Sequence, residues 1–355
     1  MKRTASILLV TLLVLTGCKD NSSYVPESGL NENHPIEFGV SGSLSVESKA
    51  PITSGADFIA FGDLTVGESD PVPVFGDEEQ EGQEVTFIDD GQNRPHYTYS
   101  PMRYWQLGSY SFGGVMPAGD FYTATFSSSD QKITLDFGEE VVEGEEGSET
   151  KTKGYNLAEH QADLMAAFHT VNVQSLSDPA TVHFEFAHQL SWVVIQAASQ
   201  NSGLSDDGLQ ISKLKIYGNS PSTKGDIVFT NTADGVAITY ELSDKTTAEH
   251  PYKTYNKSWT LVKPNANSLV YVDLVPQLLV FPEACTFAIE VTYTENGIEK
   301  TRVGSLAANW EAGKKYTYNL HLATDISFTV SVTGWGDPEV VPDGDEDADN
   351  DVEIY

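Results

Sequence analysis

Regular alternation of apolar and polar positions begins at Ile36. Apart from glycines, the even positions as far as Val46 are apolar and the odd positions are polar. This period of two predicts a half-buried strand over residues 36–46, with one face on a core and the other in water. The pattern ends before Pro51, which cannot donate to a strand ladder. Lys49 is therefore expected in a loop directly behind the first strand.

Similar strand patterns recur along the rest of the chain. They predict strands at residues 58–62, 97–105, 110–117, 133–137, 182–192, 214–217, 227–230, 237–240, 269–275, 286–294, 298–303, 316–322 and 326–332. The dipeptides Asp234-Gly235 and Asn296-Gly297 predict two tight hairpin turns. By contrast, the spacing of apolar residues predicts a short helix over residues 157–168. The polar runs 67–84 and 138–154 are predicted to be loops.

The length of the chain is sufficient for about two ordinary domains. The polar, glycine-bearing stretch 199–203 is the predicted boundary. We therefore expect a mainly β fold of two antiparallel β-sandwich domains in tandem, at residues 36–199 and 204–337.

The first residues have the order of an export signal. A basic start precedes an apolar run that is too short to span a bilayer. Thr16-Gly17 before Cys18 resembles a bacterial lipobox, which implies a lipoprotein signal peptide at residues 1–17 and a covalent lipid, palmitate among its acyl groups, on Cys18. The alternative is an uncleaved hydrophobic helix with an incidental cysteine. Residues 18–34 read as a flexible tether.

Charge and cysteine content limit the function classes. Asp and Glu number 52 against 20 Lys and Arg, a net charge of −32, so nucleic acid is not an expected partner. The two cysteines cannot form a metal cluster or a disulfide framework, and no cofactor is expected beyond the lipid on Cys18. Cys285 lies in a predicted strand, which favours a buried, inert thiol.

Two groups of side chains could carry chemistry. Tyr104, Trp105 and Tyr110 could stack on sugar rings, but packing in a sandwich core is the favoured interpretation. His188 falls on the apolar side of a predicted strand, which favours a hydrogen-bonded core histidine over a metal ligand or a base. The sequence contains no hydrolase motif such as Gly-x-Ser-x-Gly or His-Glu-x-x-His, so no catalytic or metal site is assigned and the chain is not predicted to be an enzyme.

Several short motifs are spread along the chain: Tyr99-x-Pro101-x-Arg103-Tyr104-Trp105, Tyr110-x-Phe112 with Pro117, Asp163-Leu164-Met165-Ala166, Phe186-x-His188-x-Leu190-Ser191, Trp310-x-x-Gly313-Lys314 and Thr333-Gly334-Trp335. Together they resemble the fimbrillin family of Bacteroidetes, the pilins of the type V pilus. The resemblance runs from about residue 36 to residue 337. It implies transthyretin-like, Greek-key sandwiches and a fimbrial location on the surface of the outer membrane. Residues 19–21 likewise resemble a surface-export tag of these bacteria.

The resemblance also implies a route of assembly. In fimbrillins a protease cuts after a basic residue behind the first strand, and a strand from a neighbouring subunit then fills the open groove. Here the implied cut lies between Lys49 and Ala50, although the family usually has arginine at this point. The expected partners are other fimbrial subunits, a processing protease and the outer membrane. The alternative is an ordinary exposed lysine that is never cut.

The acidic tail 338–355 is either a solvated extension or a candidate donor strand for a neighbour. Val352 and Ile354 alternate suitably, but the charged stretch before them is a poor strand for an apolar groove. The function expected from the sequence is therefore a fimbrial subunit, or an accessory or tip pilin, that supports adhesion. The alternatives are a monomeric surface lipoprotein that binds a glycan or a host ligand and, less favoured, a secreted hydrolase.

Overall fold

The computed structural model describes residues 34–41, 56–76, 82–89, 95–144, 147–177, 181–204, 208–264, 268–323 and 326–335. All regular elements in these ranges are strands, which confirms the predicted mainly β fold. No helix in this described part is long and apolar enough to cross a membrane.

The strands are numbered in chain order. The first eight are β1 (Phe38–Ser41), β2 (Phe58–Thr65), β3 (Val72–Phe75), β4 (Gln83–Ile88), β5 (His96–Thr98), β6 (Gly108–Met116), β7 (Thr123–Ser127) and β8 (Lys132–Asp136). The next eight are β9 (Glu139–Gly144), β10 (Gly147–Thr152), β11 (Met165–Val173), β12 (Val182–Glu185), β13 (Ala187–His188), β14 (Ser191–Ser199), β15 (Leu209–Tyr217) and β16 (Ile227–Thr232). The last eight are β17 (Gly235–Thr239), β18 (Lys253–Tyr255), β19 (Trp259–Leu261), β20 (Val272–Val280), β21 (Ala284–Glu295), β22 (Ile298–Asn309), β23 (Lys314–Leu322) and β24 (Ile326–Gly334).

The N-terminal part is built around a central sheet with strand order β13-β11-β6-β2-β4-β5, to which β3 adds beside β2. Strands β1 and β12 cover one face of this sheet, and the sheet β17-β16-β8-β7 covers the other. Alternate residues of β2 therefore enter different cores, Phe58 on the side of β1 and Phe61 on the side of β8. Burial on both faces explains why this strand is apolar at consecutive positions.

The C-terminal part is a sandwich of a four-stranded and a five-stranded layer. The sheet β20-β14-β23-β24 faces the sheet β18-β15-β21-β22, in which β19 also pairs with β15. Their inner faces supply one large apolar core. The hairpin β21–β22 turns at Asn296 and Gly297, which have φ values of 52° and 77°. Positive φ at both positions suits Asn-Gly, so the predicted hairpin is confirmed.

Strand pairing crosses the predicted boundary at residues 199–203. Strand β14 precedes this stretch, yet it pairs with β20 and β23 of the C-terminal sandwich. Strands β16 and β17 follow it, yet β16 pairs with β8 in the N-terminal part. The segments 36–199 and 204–337 therefore exchange strands in both directions, which a boundary based on local polarity cannot reveal.

Two sequence predictions around the central sheet are wrong. Residues 157–168 form no helix: a turn follows Leu157, and β11 begins at Met165. Leu164 and Met165 are both fully buried, but in different cores on opposite sides of the sheet. The predicted single strand 182–192 is three short strands, β12, β13 and the start of β14, in three different sheets.

Strands also occur in both predicted loops. Strand β3 lies within residues 67–84, and residues 138–154 contain the hairpin of β9 and β10. These two strands pair only with each other among the described strands. Neither stretch has a regular apolar period in the sequence, so a search for a period of two could not reveal these strands.

Candidate functional site

The candidate site is the slot that holds residues 34–41, referred to below as the N-terminal segment. Its first half is bonded to a loop ahead of β6: the amide of Ile36 donates to the carbonyl of Arg103 at 2.9 Å, and the amide of Trp105 donates to the carbonyl of His34 at 3.1 Å. This loop therefore forms a short antiparallel ladder with the start of the segment.

The second half of the segment changes partner. Strand β1 runs parallel to β12 over four residue pairs, and the amide of Val182 donates to the carbonyl of Glu37 at 2.9 Å. Because successive backbone groups of a strand point to opposite edges, β12 lies on the edge opposite to the loop. Along β1 the described structure shows one hydrogen-bonded neighbouring strand, so β1 is an edge strand.

Side chains anchor the segment more extensively than its backbone does. Ile36 is 0% and Phe38 8% exposed, whereas Glu37 between them faces solvent. The predicted alternation is thus confirmed for these described residues. The ring of Phe38 contacts four other rings, with centroids 5.1–5.7 Å away: Phe58, Phe75, Tyr99 and Phe184.

Tyr99 lies where the segment changes partner. Its hydroxyl donates to the carbonyl of Ile36 at 2.6 Å and accepts a hydrogen bond from the amide of Arg103 at 3.4 Å. Burial raises the pKa of Tyr99 to about 12, so the hydroxyl keeps its proton under physiological conditions. Tyr99 begins one of the family motifs in the sequence, but that motif does not indicate this contact with the N-terminal segment. The position of Tyr99 two residues after Tyr97 in an alternating strand was the available signal.

The geometry of the slot suits the binding of an extended strand. Without the N-terminal segment, the aromatic pocket around Phe38 and the edge of β12 would both lose their cover. An unpaired strand edge beside an apolar groove is a template for strand addition. A replacement strand must offer two large apolar residues spaced by two, as Ile36 and Phe38 are.

The residues predicted to be modified lie elsewhere. Cys18, Lys49 and Ala50 are outside the described residues, as is the acidic tail 338–355, so lipidation, cleavage and strand donation remain predictions. The described structure does fix the chain on either side of the cleavage region, because β1 ends at Ser41 and β2 begins at Phe58.

The aromatic block after β5 packs in the core as predicted at Trp105 and Tyr110, but not at Tyr104. Trp105 and Tyr110 are each 2% exposed, with ring centroids 4.9 Å apart, so neither can serve as a glycan platform. Only Tyr104 of the three faces solvent, at 45% exposure.

His188 is the hydrogen-bonded core histidine that the sequence predicts. Its Nδ1 lies 2.6 Å from Oδ2 of Asp163, and its ring stacks on Trp335 with centroids 4.1 Å apart. Burial raises the pKa of the Asp163 carboxyl, although the bond to His188 opposes this shift. Asp163 comes from the motif before β11 and Trp335 follows β24, so the cluster ties the end of the last strand to the central sheet.

Metal and thiol chemistry have little support in the described residues. No group of three or more His, Cys, Asp or Glu side chains there could hold a metal ion. Cys285 is buried and unpaired, and burial raises the pKa of its thiol to about 12. A thiol with so high a pKa is a poor nucleophile, which agrees with the predicted inert role.

Comparisons with known proteins identify relatives of the chain. A family described as fimbrillin-like matches residues 63–335. Among solved structures, a fimbrial protein from Bacteroides vulgatus is 16% identical with a TM-score of 0.50, and the match covers 85% of this chain and 100% of that chain. A structure from Bacteroides ovatus described as a cell adhesion protein is 15% identical with a TM-score of 0.47, covering 85% and 96%. No curated protein matches the chain.

Proposed function

The chain belongs to the fimbrillin-like family, and we propose that it is a subunit of a bacterial surface fimbria that supports adhesion. The observation that carries this function is the N-terminal segment in its aromatic slot. The fold shared with the fimbrial protein from Bacteroides vulgatus supports the same function.

Assembly proceeds by strand exchange at this slot. Cleavage between Lys49 and Ala50 separates the N-terminal segment from the rest of the chain, so that only non-covalent contacts retain it. Four backbone pairs with β12 and the short ladder with the loop at residues 103–105 are a small interface. A strand from another subunit then replaces the segment and gains the same aromatic contacts. Each large side chain buried in this way contributes about 1.5–3 kcal/mol.

The lipid on Cys18 determines where this exchange occurs. Export as a lipoprotein holds the uncut subunit at the outer membrane through residues 18–34. Cleavage after Lys49 removes Cys18 along with the segment, so the same step that opens the slot also releases the subunit from its anchor. Subunits that escape cleavage stay attached to the outer membrane. An uncut subunit would therefore serve as an anchor, whereas a cut subunit enters the fibre.

The cleavage step is tested by the N-terminus of the protein in fibres. Fibres sheared from cells that express the full chain are expected to contain protein that begins at Ala50. The Lys49→Gln variant is expected to remain cell-bound, to begin at Cys18 and to give no polymer ladder on unboiled gels. Lys263→Gln, which removes a charge from an exposed position far along the chain from the proposed cut, is the matched control. Fibres built from protein that begins at Cys18 would contradict assembly by cleavage.

The anchor is tested separately. Growth with an alkyne-labelled palmitate is expected to label the Lys49→Gln protein, and a further Cys18→Ser change should abolish the label. If Lys49→Gln assembles as well as the unchanged protein, the chain is better described as a surface lipoprotein with a ligand-binding role. Hydrolysis of any polysaccharide in a broad panel would contradict the non-enzymatic function.

A further inference from the structure

Exposed large apolar side chains of the N-terminal part are concentrated at one end of the slot. Among the described residues, eleven large hydrophobic side chains are exposed, and the five that belong to the N-terminal part are 37–52% exposed. These five, referred to below as the entry patch, are Val66, Val72, Met102, Tyr104 and Leu107. A group of exposed apolar side chains on a soluble protein often marks a surface that binds another molecule.

The entry patch borders the point where the N-terminal segment enters the slot. Tyr104 lies directly opposite Pro35 in an antiparallel bridge, and the next residue of the loop is bonded to the carbonyl of His34. Because the segment and the loop run in opposite directions, the chain ahead of His34 points towards Leu107. A strand that enters the slot in the direction of the N-terminal segment therefore crosses the entry patch first.

The two valines extend the patch to the neighbouring strands. A Cβ added at Gly108 would lie 2.6 Å from Cδ1 of Leu64 and 3.4 Å from Cγ2 of Val66, so both side chains reach the start of β6. Val72 is directly opposite Leu64 in the ladder of β2 and β3. Since Leu107 directly precedes Gly108, the loop and the two valines form one surface.

The other end of the slot is polar in the described residues. Ser41 at the end of β1 lies opposite Glu185, and Gly39 lies opposite His183. The side chains of Glu185 and His183 are both exposed. Within the described residues of the N-terminal part, another molecule can therefore bury large apolar side chains beside the slot at the entry end but not at the opposite end.

A second apolar surface lies where the C-terminal tail begins. Val330 and Val332 are 37% and 51% exposed. In the ladder they lie opposite Tyr318 and Tyr316, whose side chains belong to the apolar core. Directly opposed residues point to the same face, so the two valines lie on the inward face of the edge strand β24, beyond the cover of the facing layer. They are called the exit patch, because β24 ends at Gly334 just after them.

We propose that the entry patch is the docking surface for a second copy of this chain, which places its exit patch there while a strand of that copy fills the slot. The docking rests on the proposed function, because it accompanies the entry of a neighbour's strand into the slot. Two different patches meet in this contact. The contact can therefore repeat from subunit to subunit, which gives an open filament rather than a closed dimer.

The length and charge of the tail support this occupant. Val352 and Ile354 are apolar residues spaced by two, which is the spacing that the slot requires. The stretch 336–351 ahead of them extends to roughly 50 Å at most, so a subunit that donates this strand must lie within that distance of the slot. The charged stretch itself then stays outside the apolar slot. Arg103, which lies in the loop of the entry patch, offers a positive charge to its acidic residues.

Cross-linking in fibres tests the contact directly. Leu107→Cys and Val330→Cys are introduced together into the full chain, and fibres sheared from cells are oxidised with diamide. We expect a ladder that survives boiling and collapses when reductant is added; Cys285 is buried and should not contribute to it. Leu107→Cys with Ile298→Cys is the matched control, because Ile298 is 63% exposed but lies at the distant turn between β21 and β22. The absence of a ladder for the first pair, or an equal ladder for both pairs, would overturn the proposal.

Charge substitution separates docking from strand binding. Leu107→Asp should lower the amount of polymer on unboiled gels about tenfold, the effect of losing one buried apolar side chain, and Val330→Asp should do the same. Combining Leu107→Asp with Val330→Lys should restore most of the polymer. Leu107→Asp should leave unchanged both the affinity of the cut subunit for a tagged peptide of residues 34–41 and the Tm of the uncut protein, because the side chain is exposed.

The outcomes distinguish this contact from the proposed function. A lack of fibres from the unchanged protein, or a slot that does not bind the peptide, would count against assembly by strand exchange as a whole. Normal fibres from Leu107→Asp would overturn docking at the entry patch and leave strand exchange intact. A lower Tm of the uncut Leu107→Asp protein would show that the tether 18–34 of the same chain covers the patch, which would also overturn the proposal.

Discussion

The N-terminal segment and β24, the first and last described stretches of the chain, are held in opposite ways. Strand β24 makes nine consecutive antiparallel pairs with β23, whereas β1 makes four parallel pairs with β12. The side chains of the two stretches show the opposite order, because those of the N-terminal segment are the more buried. Ile36 and Phe38 are 0% and 8% exposed, but Val330 and Val332 of β24 are 37% and 51% exposed. Strand β24 is therefore held mainly by its ladder, with Ile326 at its start in the core, whereas buried side chains hold the N-terminal segment.

This difference determines which strand can be exchanged. A strand held by a long ladder leaves only when many hydrogen bonds break together. A strand held by two side chains can be replaced by any extended segment that delivers equivalent side chains to the same pocket. The N-terminal segment is thus held by well-buried side chains but by few backbone hydrogen bonds. Strand exchange requires both properties.

The largest effect is expected from Phe38→Ala in the uncut full chain. Loss of a buried aromatic ring usually lowers the free energy of unfolding by about 3–5 kcal/mol. Val332→Ala in β24 is the matched control, and its effect should stay within about 0.5 kcal/mol because the side chain is exposed. Urea unfolding followed by circular dichroism measures both. Equal effects would show that side-chain burial is not what anchors the segment.

The packing of β24 against β22, each an edge strand of its layer, should be weakened by Gly304→Ala. A Cβ at this position of β22 would overlap the ring of Phe328, which reaches over from β24. Displacing a packed ring costs about 1–3 kcal/mol.

The nearby control for this change is Ser305→Ala, because Ser305 faces solvent on the same strand. Both variants can be compared by thermal unfolding. A Tm for Gly304→Ala no lower than that for Ser305→Ala would mean that β24 is held by its ladder alone.

Sequence patterns predicted the C-terminal part better than the N-terminal part. In β21 and β23 the core residues fall at every second position, so the period of two is visible, and Asn296-Gly297 marks the turn after β21. In the central sheet both faces are buried, and neighbours such as Leu164 and Met165 enter different cores. Apolar residues at consecutive positions then imitate a helical spacing, which produced the wrong helix.

The candidate site was predicted in part. The alternation from Ile36 gave the strand and its buried face, because both are local properties. The partner strand β12 and the bond from Tyr99 to Ile36 join residues far apart along the chain. Such contacts depend on how the layers assemble, and no local pattern encodes them.

A smaller effect is expected from Tyr99→Phe. The change removes the hydrogen bond from the hydroxyl to the carbonyl of Ile36 and leaves the aromatic packing in place. The expected loss is about 1 kcal/mol of stability. After cleavage at Lys49, the N-terminal segment should also dissociate faster from this variant, as measured by pull-down of a tagged segment over time. Tyr104→Phe, at an exposed position of the neighbouring loop, should match the unchanged protein in both measurements.

The smallest effect concerns pH and compares one histidine from each part of the molecule. Burial lowers the pKa of His169 on β11, and the charge of His183 on β12 lowers it further, while Glu185 opposes the shift. Burial alone lowers the pKa of His321 on β23.

A histidine whose pKa is lowered in the folded state binds fewer protons there than in the unfolded chain. Stability must therefore fall as the pH drops below the unfolded value of about 6.5. Urea unfolding at pH 7.5 and pH 5.5 should show this loss, and His169→Gln and His321→Gln should each reduce it. Because His183 lies on the strand that pairs with β1, the His169→Gln variant should also retain the tagged N-terminal segment better at pH 5.5, whereas His321→Gln should not. The same pH dependence of segment release in both variants would show that protonation acts on the fold as a whole rather than on the partner of the exchangeable strand.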